Sequence, residues 1–400
     1  MPETKPVPEA TKEQILDALR QVQDPDLHRD IVSLGFVTQT AICDGQVKVT
    51  INLTTPACPV KDQMKKQAED LLRKLPGVRE VVVDMTAVVR AEQGPPRQIA
   101  PDIKHIVAVS SGKGGVGKST VAVNIACSLA KSGARVGLLD CDVYGPDIPM
   151  MMGLSGEPEV AMGPTGPEDR RLVPKSRHGV KTMSIGYLLE DDKPVVWRGP
   201  MVHKLIEQFL SQVQWGALDY LIVDMPPGTG DAQLSLAQIV PLSGAVLVTT
   251  PQAVSTYDVS KAIAMFRQVK VDVLGIVENM SGYAIEGKVD GARAGTKVAL
   301  ATGGKTVDLE TDADGRFATV VDVFGKGGAE RLAARYNFPL LGQVPLNPVV
   351  RIGGDAGDPV VVSEPNSVVA QRLGEVAGRV AQRLAVRSFG PGSGGLPILA

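Results

Sequence analysis

Apolar side chains recur at helical spacing from Lys12 to Val22 (Ile15, Leu16, Leu19, Val22), and the pattern then switches to two β-prone runs, Phe36 to Ile42 and Val47 to Leu53. A second helical stretch, roughly Val60 to Leu75, leads through Pro76-Gly77 into the apolar run Glu80 to Met85. Residues 1–90 therefore predict a small α+β domain of order αββαβ. From 91 to 102 the chain reads AEQGPPRQIAPD, where paired prolines, a glycine and charges replace any period. That composition predicts a linker.

Beyond it, short β-branched runs alternate with helical segments: Ile106 to Ser110, Val136 to Asp140, Leu221 to Asp224, Ala245 to Thr250, Val273 to Glu278 and Leu340 to Val344. Nearly continuous apolar strands separated by helices predict an α/β domain over 103–388, with a mainly parallel, doubly wound sheet covered on both faces. Two stretches break the alternation. Met162 to Tyr187 reads as strand-and-turn decoration, and the Gly- and Asp-rich segment 282–323 as a small β-hairpin insertion on the surface. An amphipathic helix, about Ser367 to Val386, closes the domain, and residues 389–400 (GPGSGG within them) predict a flexible tail.

Composition narrows the functional classes. The 400 residues are 44% hydrophobic, enough for a substantial core in more than one domain. A net charge of -2 and a pI near 6.2 supply no broad basic field, so nucleic acid is not an expected partner. No uncharged apolar run reaches the length of about 18 residues that a membrane span needs, and MPETKPVPEATKEQ lacks a basic-then-apolar leader pattern. A cytoplasmic protein with no membrane attachment is expected. The four cysteines, Cys43, Cys58, Cys127 and Cys141, form no close pair and read as reduced thiols.

Against that background one motif dominates. Gly112-Lys113-Gly114-Gly115-Val116-Gly117-Lys118-Ser119, continuing into Thr120, fits the phosphate-loop pattern G-x-x-x-x-G-K-[ST]. It follows the strand IVAVS and opens a helix with Val121, Ile125 and Leu129 on one face, as the chemistry demands. Glycines let backbone amides curl round the phosphates of ATP and the helix start adds its dipole. Lys118 reaches the β- and γ-phosphates, and Ser119 offers its hydroxyl to Mg²⁺. Two strands end in acids that emerge at the same carboxyl edge of the sheet, Asp140-Cys141-Asp142 and Asp224 in DMPPGTGD. Asp224 suits the Mg²⁺ and Asp142 the attacking water, with Asp140 in support; a strand-end acid that caps the next helix is the alternative for Asp140 and Asp224. Gly228 and Gly230 allow the intervening loop to sense the γ-phosphate. Asn279, Pro345 and Asn347 follow other strand ends and read either as adenine neighbours or as turn residues.

KGGVGKST resembles the deviant phosphate loop of the MinD/ParA class, which implies that Lys113 acts across a homodimer interface; on chemistry alone Lys113 is a solvated loop charge. SSGKGGVGKSTVAVNIA, LLDCDVYGPDIP, VWRGPM, DYLIVDMPPGTGDAQLSL, TTPQAVS, GIVENMSG, FGKGG and GQVPLNPVVRIGGDAGDPVV narrow the likeness to the Mrp/ApbC-like iron-sulfur cluster carrier ATPases. DPDLHRDIVSLGFV and LTTPACP resemble the SufT/PaaD-type small domain often fused in front of them. The resemblance implies slow ATP hydrolysis and transfer of a cluster, [4Fe-4S] by this likeness, to apo iron-sulfur client proteins. It also implies a Cys-Pro-x-Cys shortly after ENMS, and ENMSGYAIEG has no cysteine. Cys58, in Thr55-Pro56-Ala57-Cys58-Pro59 ahead of a helix, is then the candidate iron or cluster ligand, a thiolate of lowered pKa by position, or else a buried small side chain. Cys127 reads as core, and the four histidines are scattered. The competing reading is a MinD/ParA-like switch that acts on a protein partner without any cluster.

Overall fold

The computed structural model describes residues 10–43, 45–91, 99–163, 166–189, 199–302 and 305–389. Most of the expected linker, the first part of VWRGPM and nearly all of the expected tail lie outside them.

In the N-terminal domain α1 (Lys12–Leu19) starts on a capping box, with the Thr11 hydroxyl accepting from the Gln14 N–H and Gln14 returning the bond to the Thr11 N–H. A short pair, β1 (Gln23–Asp24) and β2 (Arg29–Asp30), leads to β3 (Val37–Cys43), β4 (Gln46–Leu53), α2 (Lys61–Leu72) and β5 (Glu80–Ala87). Strand β4 is central, antiparallel to β3 and parallel to β5. Its Val47, Val49, Ile51 and Leu53 all face inward, the period of two that a half-buried strand requires, and they meet Ile15, Leu19, Met64 and Leu72 from the two helices.

The large domain runs β6 (Ile103–Ser111), α3 (Lys118–Lys131), β7 (Val136–Asp140), α4 (Ile148–Met151), β8 (Val160–Gly163), β9 (Gly166–Leu172), β10 (Lys175–Arg177), β11 (Val180–Ser184), α5 (Gly199–Ser211), β12 (Leu218–Asp224), α6 (Asp231–Ile239), β13 (Gly244–Thr249) and α7 (Ala253–Gln268). It continues with β14 (Val273–Lys288), β15 (Lys297–Thr302), β16 (Lys305–Glu310), β17 (Arg316–Val321), α8 (Gly328–Tyr336), β18 (Leu340–Leu346), α9 (Pro348–Ala356), α10 (Val360–Ser363) and α11 (Val368–Phe389). Among the described residues the main sheet has nine strands, in the order β10-β11-β7-β12-β6-β13-β14-β17, with β18 also on β14. The strands from β11 through β13 to β18 are parallel, and β10 and β17 add antiparallel margins. Because β6 lies between β12 and β13, the chain leaves it at the point where strand order reverses, which opens a crevice at the carboxyl edge. One core packs the sheet against α3 and α11, the other against α5, α7 and α8.

The segment after Glu278 departs from expectation. Rather than ending there, β14 bends at Met280 (φ 56°) and Gly282 (φ 82°) and continues to Lys288. Its outer half finds an antiparallel partner in Arg316–Val321, so the sheet itself grows outward, and the hairpin β15–β16 stands at the end of that extension. Glu278, fully buried at the bend, accepts from the Ser281 hydroxyl (2.8 Å), the Gln343 amide (2.9 Å) and the Ala329 N–H (2.7 Å), which ties β14, β18 and the start of α8 together.

Candidate nucleotide site

The loop from Gly112 to Gly117 joins the carboxyl end of β6 to α3. Gly115 and Gly117 hold positive φ (78° and 80°), and a Cβ on Gly117 would lie 2.2 Å from the Asn279 amide nitrogen, so only glycine lets the loop turn here. Asn279 donates to the Val116 carbonyl (2.8 Å) and thereby fastens the loop to β14. The Ser111 hydroxyl donates to the Lys113 carbonyl (2.8 Å). Lys113 itself is half-exposed and makes no ion pair among the described residues.

Lys118, buried at the first turn of α3, lies 2.6 Å from Asp224 Oδ1 and 3.6 Å from Asp142 Oδ2. The Ser119 hydroxyl donates to Asp224 Oδ2 (2.5 Å). Asp140 is buried beside them and accepts from the Ser184 hydroxyl (2.8 Å) and the Asp142 N–H (3.0 Å). Strand register places Asp140 and Asp224 side by side, so three carboxylates converge on one ammonium. Burial pushes the Asp140 carboxyl well up, and the charge of Asp224 adds to it. Burial also raises Asp142 and Asp224, against the pull of Lys118. For Lys118 burial acts the other way, yet Asp224 and the two further acids more than reverse it and its pKa is raised. The cluster is thus short of positive charge, the state that a cation beside Asp224 would relieve.

A carboxyl that holds its proton more tightly folded than unfolded contributes stability below the ordinary carboxylate pKa and loses it as pH rises through the raised folded value. In Asp140→Asn the amide oxygen keeps the Asp142 N–H, its NH₂ donates to Ser184, and the repulsion with Asp224 is gone. Nucleotide-free Asp140→Asn is expected to melt a few degrees above the parent at neutral pH, the gap closing on acidification, by scanning fluorimetry. A gap that widens on acidification would reverse the sign.

Asn279, Pro345 and Asn347 all line one cavity of about 310 Å³ at the sheet edge, next to Gly117 and Thr120. Asn347 also caps α9, its side chain accepting the Val349 N–H (3.0 Å), so the turn and lining readings coincide in one residue. The cavity includes residues that sequence reasoning missed: Asp147, Met280, Val350 and Arg351. Only their place shortly after strand ends could have marked them. In the loop after β12, Gly228 (φ 98°) donates its N–H to the Ser111 carbonyl (3.1 Å) and Gln233 donates to the Pro227 carbonyl. Gln233, also missed, ties that loop to the start of α6.

Cys58 is placed elsewhere, on the N-terminal domain just ahead of α2. The expected low thiol pKa is overturned: burial pushes it up, one N–H from Val60 works against this, and Asp24 and Asp26 add to the rise. Burial likewise raises Cys127 to about 12, its sulfur 4.0 Å from that of Met152 in the core. Among the described residues no three His, Cys, Asp or Glu side chains gather as a metal cage, and no helix is long and apolar enough to cross a membrane.

Residues 102–300 and 313–381 match the family described as NUBPL iron-transfer P-loop NTPase, and residues 12–83 match the one described as iron-sulfur cluster assembly protein. The break between the two large segments falls in the β15–β16 hairpin. Over 380 residues the chain is 46% identical to a protein of Synechocystis named iron-sulfur cluster carrier protein, covering 95% of this chain and 99% of that one. A protein of the same name from Deinococcus radiodurans is 46% identical over 385 residues, covering 96% and 99%. Among solved structures, the nucleotide-binding protein from Archaeoglobus fulgidus in complex with ADP is 36% identical, with a TM-score of 0.49 over 66% of this chain and 90% of that one.

Proposed function

Because this chain belongs to the NUBPL-type family of iron-transfer P-loop NTPases, carrying an iron-sulfur assembly domain in front, we propose that it is an ATP-hydrolysing iron-sulfur cluster carrier. The observation that carries the ATPase half is the convergence of Lys118, Ser119 and Asp224 within hydrogen-bond reach at the start of α3. The loop amides and Lys118 bind the triphosphate, and the cavity beside Gly117 takes adenine against Asn279, Pro345 and Asn347. Ser119 and Asp224 would hold Mg²⁺, which would supply positive charge to offset that of the phosphates. Asp142 orients the attacking water, and Asp140, held by Ser184, fixes the Asp142 backbone through its N–H. Two copies pair across this face, with Lys113 of each reaching the other's phosphates.

The cargo is a cluster, [4Fe-4S] in this reading, passed to apo iron-sulfur clients. Cys58 or a partner protein supplies thiolate in place of the absent Cys-Pro-x-Cys, since thiolates are the soft ligands that iron clusters take. Four cysteines outside any disulfide suit a reducing cytoplasm. The absent cysteines also support a second reading, an ATP-driven switch that engages a protein partner without a cluster. Anaerobic reconstitution with iron and sulfide separates the two. The carrier develops a thiolate-to-iron band in the visible range, which Cys58→Ser loses; a colourless protein that transfers nothing to an apo-acceptor hands the case to the switch.

A further inference from the structure

The segment that carries Cys58 is pressed against the large domain. The Tyr220 hydroxyl donates to Thr55 Oγ1 (3.2 Å), both groups buried. Its ring stacks on His105 (centroids 5.7 Å apart, 21°), and His105 Nε2–H donates to the Arg90 carbonyl (2.9 Å). Gly378 on α11 faces the loop so closely that a Cβ there would lie 3.0 Å from the Ala57 carbonyl oxygen. Ala57 packs into the core formed by α3 and α11, and Gln382, one turn beyond Gly378, donates to Asp26. Cys58, between Ala57 and Pro59 that face Gly378, is half-buried, with one side on the core of its own domain.

The elements that form the seam carry nucleotide residues at their other ends. Tyr220 and Asp224 share β12, His105 lies on the strand that leads into the phosphate loop, and α11 packs on α3, which begins with Lys118. Lys118 and Asp224, the two groups that Mg-triphosphate would engage, hold each other at 2.6 Å. We propose that the seam is a clasp: docked, it masks the Cys58 thiol, and nucleotide bound at the far ends of β12 and α3 loosens the dock and bares it. The N-terminal domain, docked in this structure, would be the element that moves between docked and released as such coupling requires. The clasp operates whether or not Cys58 takes iron.

Alkylation of metal-free protein by N-ethylmaleimide, followed by mass at the Cys58 peptide, tests it. Gly378→Leu places a side chain under the Ala57 carbonyl and is expected to speed alkylation about tenfold, the effect of weakening the dock by ~1.4 kcal/mol. Gly374→Leu, one turn back with open space around its Cβ, is expected to stay at the parental rate. Mg²⁺ with a non-hydrolysable ATP analogue speeds the parent and leaves Gly378→Leu unchanged. Tyr220→Phe, which removes only one hydroxyl, gives an intermediate rate and decides the matter should Gly378→Leu fail to fold. Equal rates in Tyr220→Phe, Gly378→Leu and parent overturn the masking, equal acceleration by Gly374→Leu overturns its assignment to the seam, and a parental rate indifferent to the nucleotide analogue overturns the coupling.

Discussion

Lys118→Ala is expected to lose nucleotide binding that calorimetry can detect. The side chain is buried, and it is the ammonium on which Asp140, Asp142 and Asp224 converge. Without it a triphosphate would approach three buried carboxylates and no cation. Truncating one member of a buried, hydrogen-bonded charge pair typically costs ~3–5 kcal/mol, or ~10²–10⁴ in Kd. A ligand that binds only the folded state raises its stability by mass action, so Mg-ATP should lift the melting temperature of the parent and leave that of Lys118→Ala where it was. Retained binding heat in the variant would show that the phosphates are held elsewhere and would undo the assignment of the loop.

Much of this site was legible because its chemistry is local in sequence. Gly112 to Thr120 is one uninterrupted stretch, and Asp140 and Asp224 each end an apolar run, so a sheet-edge argument brings them together without coordinates. The αββαβ order was legible for the same reason: the alternation in β4 and the helical spacing in α1 and α2 are short-range patterns. What escaped depends on partners distant in the chain. The extension of β14 past Glu278 exists because Arg316–Val321 returns to pair with it, and no period in either segment announces the other. The thiol of Cys58 was misjudged because helix position was weighed without burial, and Asp24 and Asp26 approach it from a separate turn. Asp147, Val350 and Arg351 reach the cavity only through the packing of α4 against α9.

The second large effect separates binding from turnover. Lys113→Ala should bind Mg-ATP nearly as the parent does, because Lys113 is half-exposed and takes no part in the Lys118–Asp224 cluster of its own subunit. Hydrolysis should fall by about 10³ or more, the scale of a cation supplied in trans to the charge that develops on the transferring phosphate. A mixing experiment then asks from which subunit the lysine comes. In a mixed dimer of Lys113→Ala with Lys118→Ala, the subunit with an intact Lys118 binds ATP and receives Lys113 from its neighbour, so one of two sites is whole. Random pairing of equal amounts makes half the dimers mixed, and two inactive preparations should together recover about a quarter of parental turnover per subunit, as a two-fold dimer with shared sites requires. A mixture as inactive as its components, at concentrations where the parent is dimeric, would put Lys113 back among the solvated loop charges.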